Sequence, residues 1–164
     1  MSNQLPHRPE SCDTPWRIGV VSSLYNQLWV NGLVLHFERE AKAICPKCEL
    51  SFVQVPGSFE LPLGAQLLAD SGTVDALAVF GVLLEGETAH ATLVAQAVTQ
   101  GLMQISLAHR IPVIHEVLLV KNVEQAEKRC LEEEINRGLE AARACIRMLR
   151  NTQMINSLSN SRKA

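Results

Sequence analysis

Ala76-Leu-Ala-Val-Phe80-Gly-Val-Leu-Leu-Glu85-Gly-Glu-Thr-Ala-His90 decides the fold class of this chain. Residues 76–84 are almost continuously apolar, the pattern of a strand covered on both faces, and such strands belong to parallel sheets flanked by helices. At Gly86 the run breaks. Thr88 then stands as a candidate helix cap, and His90 falls in the first turn of a helix whose stripe is Val94, Ala97, Gly101, Leu102 and Ile105. A strand end, exposed backbone N–H groups and a titratable imidazole thus meet within a few residues, as a site for a phosphorylated small molecule requires.

The same unit repeats on either side. Upstream, the strand-like run Ile18–Ser22 leads through Asn26, read as a helix cap, into the stripe Val30, Leu33, Val34, Phe37, Ala41 and Ile44. Leu50–Val55 is a second strand, broken by Pro56-Gly57, and Pro62 suits the first turn of a helix carrying Leu63, Leu67 and Leu68. Downstream, Pro112 stops one helix and starts the strand Val113–Val120. One final helix is expected from Val123, with Leu131, Ile135, Leu139, Ala142, Ile146 and Leu149 at spacings of three and four. Arg143, Arg147 and Arg150 read as charges suited to the negative end of its dipole. Alternating strands and helices predict a three-layer α/β/α architecture, a four-stranded parallel sheet of flavodoxin-like topology with helices on both faces. The expected organisation is a flexible N-terminal arm over residues 1–15, a single folded domain over 16–150 and a flexible tail over 151–164.

Bulk composition narrows the partners. The 164 residues suit one domain with a sizeable core, and a net charge of −2 offers no general attraction to nucleic acid or to anionic membrane. No apolar stretch is as long as a membrane span, and the N-terminus lacks the blocks of a secretory signal, so a cytoplasmic protein is expected. Five scattered cysteines do not make a disulfide scaffold. Cys45-Pro-Lys-Cys48 invites a zinc or redox reading, but no second pair supplies the remaining zinc ligands, and a redox motif would open a helix after a strand. It reads as a turn that contains two thiols.

In parallel sheets, ligands bind outside the carboxyl ends of the strands. Four segments reach that edge: Leu24-Tyr25-Asn26, Pro56 to Glu60, Gly86 to His90 and Val120 to Asn122. His90 is the leading acid–base candidate, because its ordinary pKa lies near neutrality and a helix N-terminus favours the neutral ring. His115, beside Glu116, is a weaker one, with His7, His36 and His109 weaker still. Gly86 and Thr88 offer anion-binding donors at a helix N-terminus, and Arg129, beside Lys128, could complete a phosphate clamp. Tyr25 could stack on a flat heterocycle, while Ser58, Glu60 and the backbone around Phe59 could hold hydroxyl or amide groups.

Together these segments resemble the lumazine synthase family over about residues 17–150. The likeness is strongest in Val55-Pro-Gly-Ser-Phe-Glu-Leu-Pro62, in Gly81–His90, and in Ile111-Pro-Val-Ile-His-Glu-Val-Leu118 with Glu124-Gln-Ala126. Three such blocks in the family's order and spacing are hard to explain by chance. The resemblance implies condensation of 5-amino-6-(D-ribitylamino)uracil with 3,4-dihydroxy-2-butanone 4-phosphate, through an imine, loss of phosphate and ring closure, without metal or organic cofactor. It casts His90 as the proton-transfer residue and Tyr25 as the aromatic on the pyrimidine. Ser58, Phe59, Glu60 and Leu61 become the holders of the ring and ribityl chain, with Val82, Leu83, Leu84 and His115 lining the site. Gly86, Glu87 and Thr88 become the phosphate-facing turn, and Arg129 its arginine, donated across a subunit interface.

The resemblance further implies a homopentamer or a pentamer-based icosahedral shell, with riboflavin synthase as a partner. Asn136-Arg-Gly138, without an insertion before it, is similar to shell-forming members. Three departures stand out: Glu85 where a basic residue is common, Glu133 where a lysine is frequent, and His115-Glu116 in place of a Phe-Gly pair. They motivate an alternative, a catalytically weak flavin- or lumazine-binding assembly on the same scaffold. A flavodoxin-like nucleotide-binding module fits less well, because the first loop has no Gly-rich phosphate cradle.

Overall fold

The structure, a computed structural model, describes residues 5–161. Strands β1 (Arg17–Ser23), β2 (Glu49–Val55), β3 (Ala76–Leu84) and β4 (Val113–Val120) form one parallel sheet in the order β2-β1-β3-β4. Helices α1 (Gln27–Ile44), α2 (Leu61–Asp70), α3 (His90–His109), α4 (Val123–Cys130) and α5 (Arg137–Ser161) connect or follow them, with a 3-10 turn at Ser58–Glu60. This is the expected three-layer α/β/α arrangement. The side chains of β3 divide between the layers as its apolar run requires. Ala76, Ala78, Phe80 and Val82 face α1, α4 and α5, whereas Leu77 and Val79 face α2 and α3. Phe80 meets Phe37 of α1 edge to face, with ring centroids 5.3 Å apart.

The final helix is two helices. After Cys130 the chain leaves helical geometry for six residues, and α5 starts at Arg137. Buried Asn136 breaks the run: its Oδ1 accepts from the N–H groups of Gly138 (2.8 Å) and Leu139 (3.3 Å), while its Nδ2 donates to the Glu132 carbonyl. This cap satisfies donors that a continuous helix would have paired internally. Glycine at 138 lets α5 approach α1, since a Cβ there would lie 2.2 Å from the Leu33 carbonyl oxygen.

Helix α5 then runs to Ser161, so residues 151–161 of the expected tail are helical, and 162–164 lie outside the described residues. Arg143, Arg147 and Arg150 therefore sit mid-helix and are not dipole partners at its end. They donate instead to the carbonyls of Pro6, His7 and Glu10, at 2.7, 3.0 and 2.5 Å. Buried Glu40 of α1 joins both sides, accepting from Arg8 (2.9 Å) and Arg143 (2.8 Å). Residues 1–4 of the expected arm lie outside the described residues.

Two helix stripes also differ from expectation. In α2 the buried positions are Leu61, Gly64, Ala65 and Ala69, whereas Leu63 and Leu67 are exposed because they point away from the sheet. In α3, Val98 takes the core position and Ala97 is exposed. The CPKC segment closes a turn after α1, with the Cys48 N–H on the Cys45 carbonyl at 3.0 Å. Among the described residues, no helix is long and apolar enough to cross a membrane.

Candidate active site

The carboxyl ends of β1, β2 and β3 open onto a cleft of about 480 Å³ lined by Tyr25, Asn26, Gly57, Ser58, Phe59, Glu60, Val82, Leu83, Leu84, His90, Ala91 and Val94. Eight of the candidate residues meet here, from three separate strand ends. Backbone geometry explains the convergence. Asn26 adopts a left-handed conformation (φ 58°, ψ 38°) that asparagine tolerates better than most residues. Its side chain does not cap α1. It donates instead from Nδ2 to the Val82 carbonyl at 2.7 Å, tying the β1 loop to the end of β3. Gly57 gives the opposite wall its closeness: a Cβ there would lie 3.0 Å from Glu60 Oε2 and 3.2 Å from the Tyr25 ring.

Exposure and hydrogen bonding mark this cleft as a place for a ligand. Tyr25 and Phe59 are 72% and 64% exposed, two aromatic faces that the fold leaves uncovered around it. Ser58 is the reverse case. It is 5% exposed, and its Oγ has no hydrogen-bond partner. A buried hydroxyl without a partner carries an uncompensated desolvation cost. His90, the first residue of α3, is exposed at the helix N-terminus, where backbone donors face outward.

Other candidates fall elsewhere. Leu61 is fully buried in the core that α2 and α3 share with the sheet, close under Gly81, so it supports the floor without lining the cleft. Thr88 does not cap α3, because the helix starts two residues later with Ala89 at the N-cap position. Gly86, Glu87 and Thr88 form an exposed turn between Glu85 and His90 that lines neither this cleft nor the next.

A second cleft, of about 490 Å³, runs along the edge strand β4. It is lined by Glu85, residues 115–121, Gln125, Arg129 and Arg137. His115 and Arg129 are here, on the far side of the Glu85 turn from His90. His115 points to α3, where its Nε2 lies 3.0 Å from Thr99 Oγ1, and burial pushes its pKa down. Glu116 and Arg137, absent from the expected site, are its most enclosed charges: Arg137 donates from Nε (3.1 Å) and Nη2 (3.2 Å) to the two oxygens of Glu116. Burial pushes the Glu116 carboxyl up to about 7, against the lowering pull of Arg137. The signal that could have found the pair was a carboxylate inside an apolar strand, which folding tolerates only with a partner. Glu133, by contrast, is turned to solvent and pairs with Arg39 at 2.6 Å, away from the cleft.

Residues 15–153 match the family model described as 6,7-dimethyl-8-ribityllumazine synthase. A protein of that name from Burkholderia multivorans is 36% identical over 145 residues, covering 88% of this chain and 82% of its own length. One of the same name from Levilactobacillus brevis is 34% identical, covering 88% of this chain and 92% of its own length.

Proposed function

The chain belongs to the 6,7-dimethyl-8-ribityllumazine synthase family, transferases of riboflavin biosynthesis, and we propose that its first cleft is where 5-amino-6-(D-ribitylamino)uracil and 3,4-dihydroxy-2-butanone 4-phosphate are joined. The meeting of Tyr25, buried Ser58 and His90 in one cleft carries this reading. The Tyr25 and Phe59 rings offer faces for the pyrimidine, and Ser58 and Glu60 offer polar groups for its amides and ribityl hydroxyls.

Imine formation joins the amine nitrogen to the ketone carbon and expels water. Elimination of phosphate then leaves a second carbonyl, and closure of the ring joins the ribitylamino nitrogen to that carbon with loss of a second water, each step moving protons between nitrogen, carbon and oxygen. None of this needs an external oxidant or a cofactor. Two reactants held in near-attack geometry supply most of the rate, and His90, at the cleft wall, is the group placed to carry the protons.

The phosphate belongs with Arg129, which lines the other cleft. We therefore place the complete site between two copies of the chain in a pentamer, with Arg129 and His115 of one facing His90 and Tyr25 of its neighbour. What supports this is the separation of the two groups of residues into clefts that share no lining residue. The uncovered apolar side chains Leu63, Leu93, Met103 and Leu107 on α2 and α3 fit a contact surface of that kind. A pentamer-based shell and riboflavin synthase, which would consume the product, extend the same proposal. So does a cytoplasmic setting, which suits five free thiols.

Mixing purified protein with both substrates tests the reading through lumazine absorbance and phosphate release. Turnover is expected, with His90→Ala slower by about 100-fold or more and unchanged in assembly mass. Absence of turnover where a family enzyme works, or full turnover in the variant, would remove the assignment.

A further inference from the structure

One guanidinium in the β4 cleft serves two carboxylates. Arg137 makes its two-pronged contact with Glu116 and also donates from Nη1 to Glu140 at 2.5 Å. Glu116 is 5% exposed, and its side chain stands on the sheet face covered by α4 and α5. Burial makes the charged form of Glu116 costly, and the adjoining Glu140 carboxylate adds to that cost while offsetting part of the pull of Arg137. Glu116 is the more buried of the two, and its carboxyl is pushed up to about 7.

Few other groups bear on it. From α5 come Arg137 and Glu140, and from α4 come Arg129, which draws the carboxyl down, and the thiol of Cys130, itself pushed up to about 12. On β4, His115 points to the opposite face, and burial pushes its pKa down. Glu85 and Lys121 complete the charged lining. Among the described residues of this cleft, Glu116 is the buried carboxyl pushed up to about 7, and it shares the lining with Arg129.

We propose that Glu116 is a specificity-determining residue for the anionic substrate: it takes up a proton from solvent when a dianion enters the cleft beside Arg129, so that anion affinity falls as pH rises through neutrality. The inference deepens the proposed function and rests on its assignment of Arg129 to the phosphate. The linkage is reciprocal. An anion that favours protonated Glu116 binds more weakly once the solution has removed that proton. With Glu116 charged, a dianion meets an uncompensated carboxylate. With Glu116 neutral, Arg137 balances Glu140 alone, and Arg129 and Lys121 are left to the ligand.

Sulfate is the probe, because it stays a dianion across the range and adds no titration of its own. Its binding to the full-length protein is measured by calorimetry from pH 6 to pH 8, with Arg129→Ala defining the signal that belongs to this cleft. For a linkage of about tenfold between proton and anion, the dissociation constant of the wild type is expected to rise about fivefold from pH 6 to pH 8. Glu116→Gln should abolish that rise and bind more tightly than wild type at pH 8. Glu116→Asp, which keeps a titratable group, should retain a rise. A wild-type constant independent of pH, or an unchanged rise in Glu116→Gln, would overturn the proposal. No sulfate binding that depends on Arg129 would instead overturn the anion reading of the cleft, and the proposal with it.

Discussion

Gly138→Ala is the most exacting test of how the second cleft is built. The added methyl would lie 2.2 Å from the Leu33 carbonyl oxygen, 3.0 Å from its carbon and 3.0 Å from Asn136 Oδ1. None of these is the yielding end of a flexible side chain: Leu33 is fully buried within α1, and Asn136 Oδ1 already serves two backbone donors. Helix α5 must therefore move away from α1 at the point where Arg137 is positioned. Overpacking against rigid neighbours costs about 3 kcal/mol, and the preference of a helix for alanine over glycine returns up to about 1 kcal/mol. A net loss of about 2 kcal/mol lowers Tm by about 4–8 °C for a chain of this length. The assay is thermal or urea unfolding at fixed protein concentration, with Gly86→Ala as control. Nothing lies within 4 Å of a Cβ at Gly86, so that variant should stay within about 0.5 kcal/mol of wild type. A Gly138→Ala protein as stable as wild type would refute the close-approach reasoning.

Ser58→Ala should separate stability from binding: removing a buried hydroxyl without a partner leaves unfolding unchanged or slightly improved, while KM for the ribityl substrate rises by about 5–10-fold as a hydrogen bond of about 1–1.5 kcal/mol is lost. Unfolding and steady-state kinetics on one preparation check both halves. Glu116→Gln should be more stable than wild type at pH 8 and no more stable at pH 5. A folded-state pKa raised from the ordinary 4.5 to about 7 contributes stability that is complete below 4.5 and lost as pH rises through 7, a change on the order of 3 kcal/mol. Urea unfolding of both proteins across that window shows whether the gap opens.

Much of the fold could be read from residue pattern alone. Ala76–Leu84 was legible because both its faces are buried, which leaves an unbroken apolar run that no surface element shows. The break between α4 and α5 was not, because Leu131, Ile135 and Leu139 keep helical spacing across it. What breaks the helix is tertiary: the Asn136 cap and the approach of Gly138 to Leu33. The apolar spacing of α2 likewise could not tell the side of Gly64 and Ala65, which meets the sheet, from the side of Leu63 and Leu67.

The strand-end rule gathered Tyr25, Ser58, Phe59, Glu60 and His90, and the structure brings these five to one cleft. It could not show that Asn26 would turn its amide to Val82 instead of capping α1, since a left-handed residue is invisible to hydrophobic periodicity. Nor could it show that Glu116 would share Arg137 with Glu140, because Arg137 lies 21 residues on and Glu140 three further, beyond the break.

The shared site between neighbours is tested most directly by mixing. His90→Ala and Arg129→Ala chains, each expected to be strongly impaired alone, are co-expressed and purified as mixed assemblies. If one subunit supplies His90 and the next supplies Arg129, about a quarter of the head-to-tail interfaces in an equal random mixture carry both groups intact, and activity should return to about that fraction of wild type. Mixed assemblies no more active than either parent would contradict a site built from two chains.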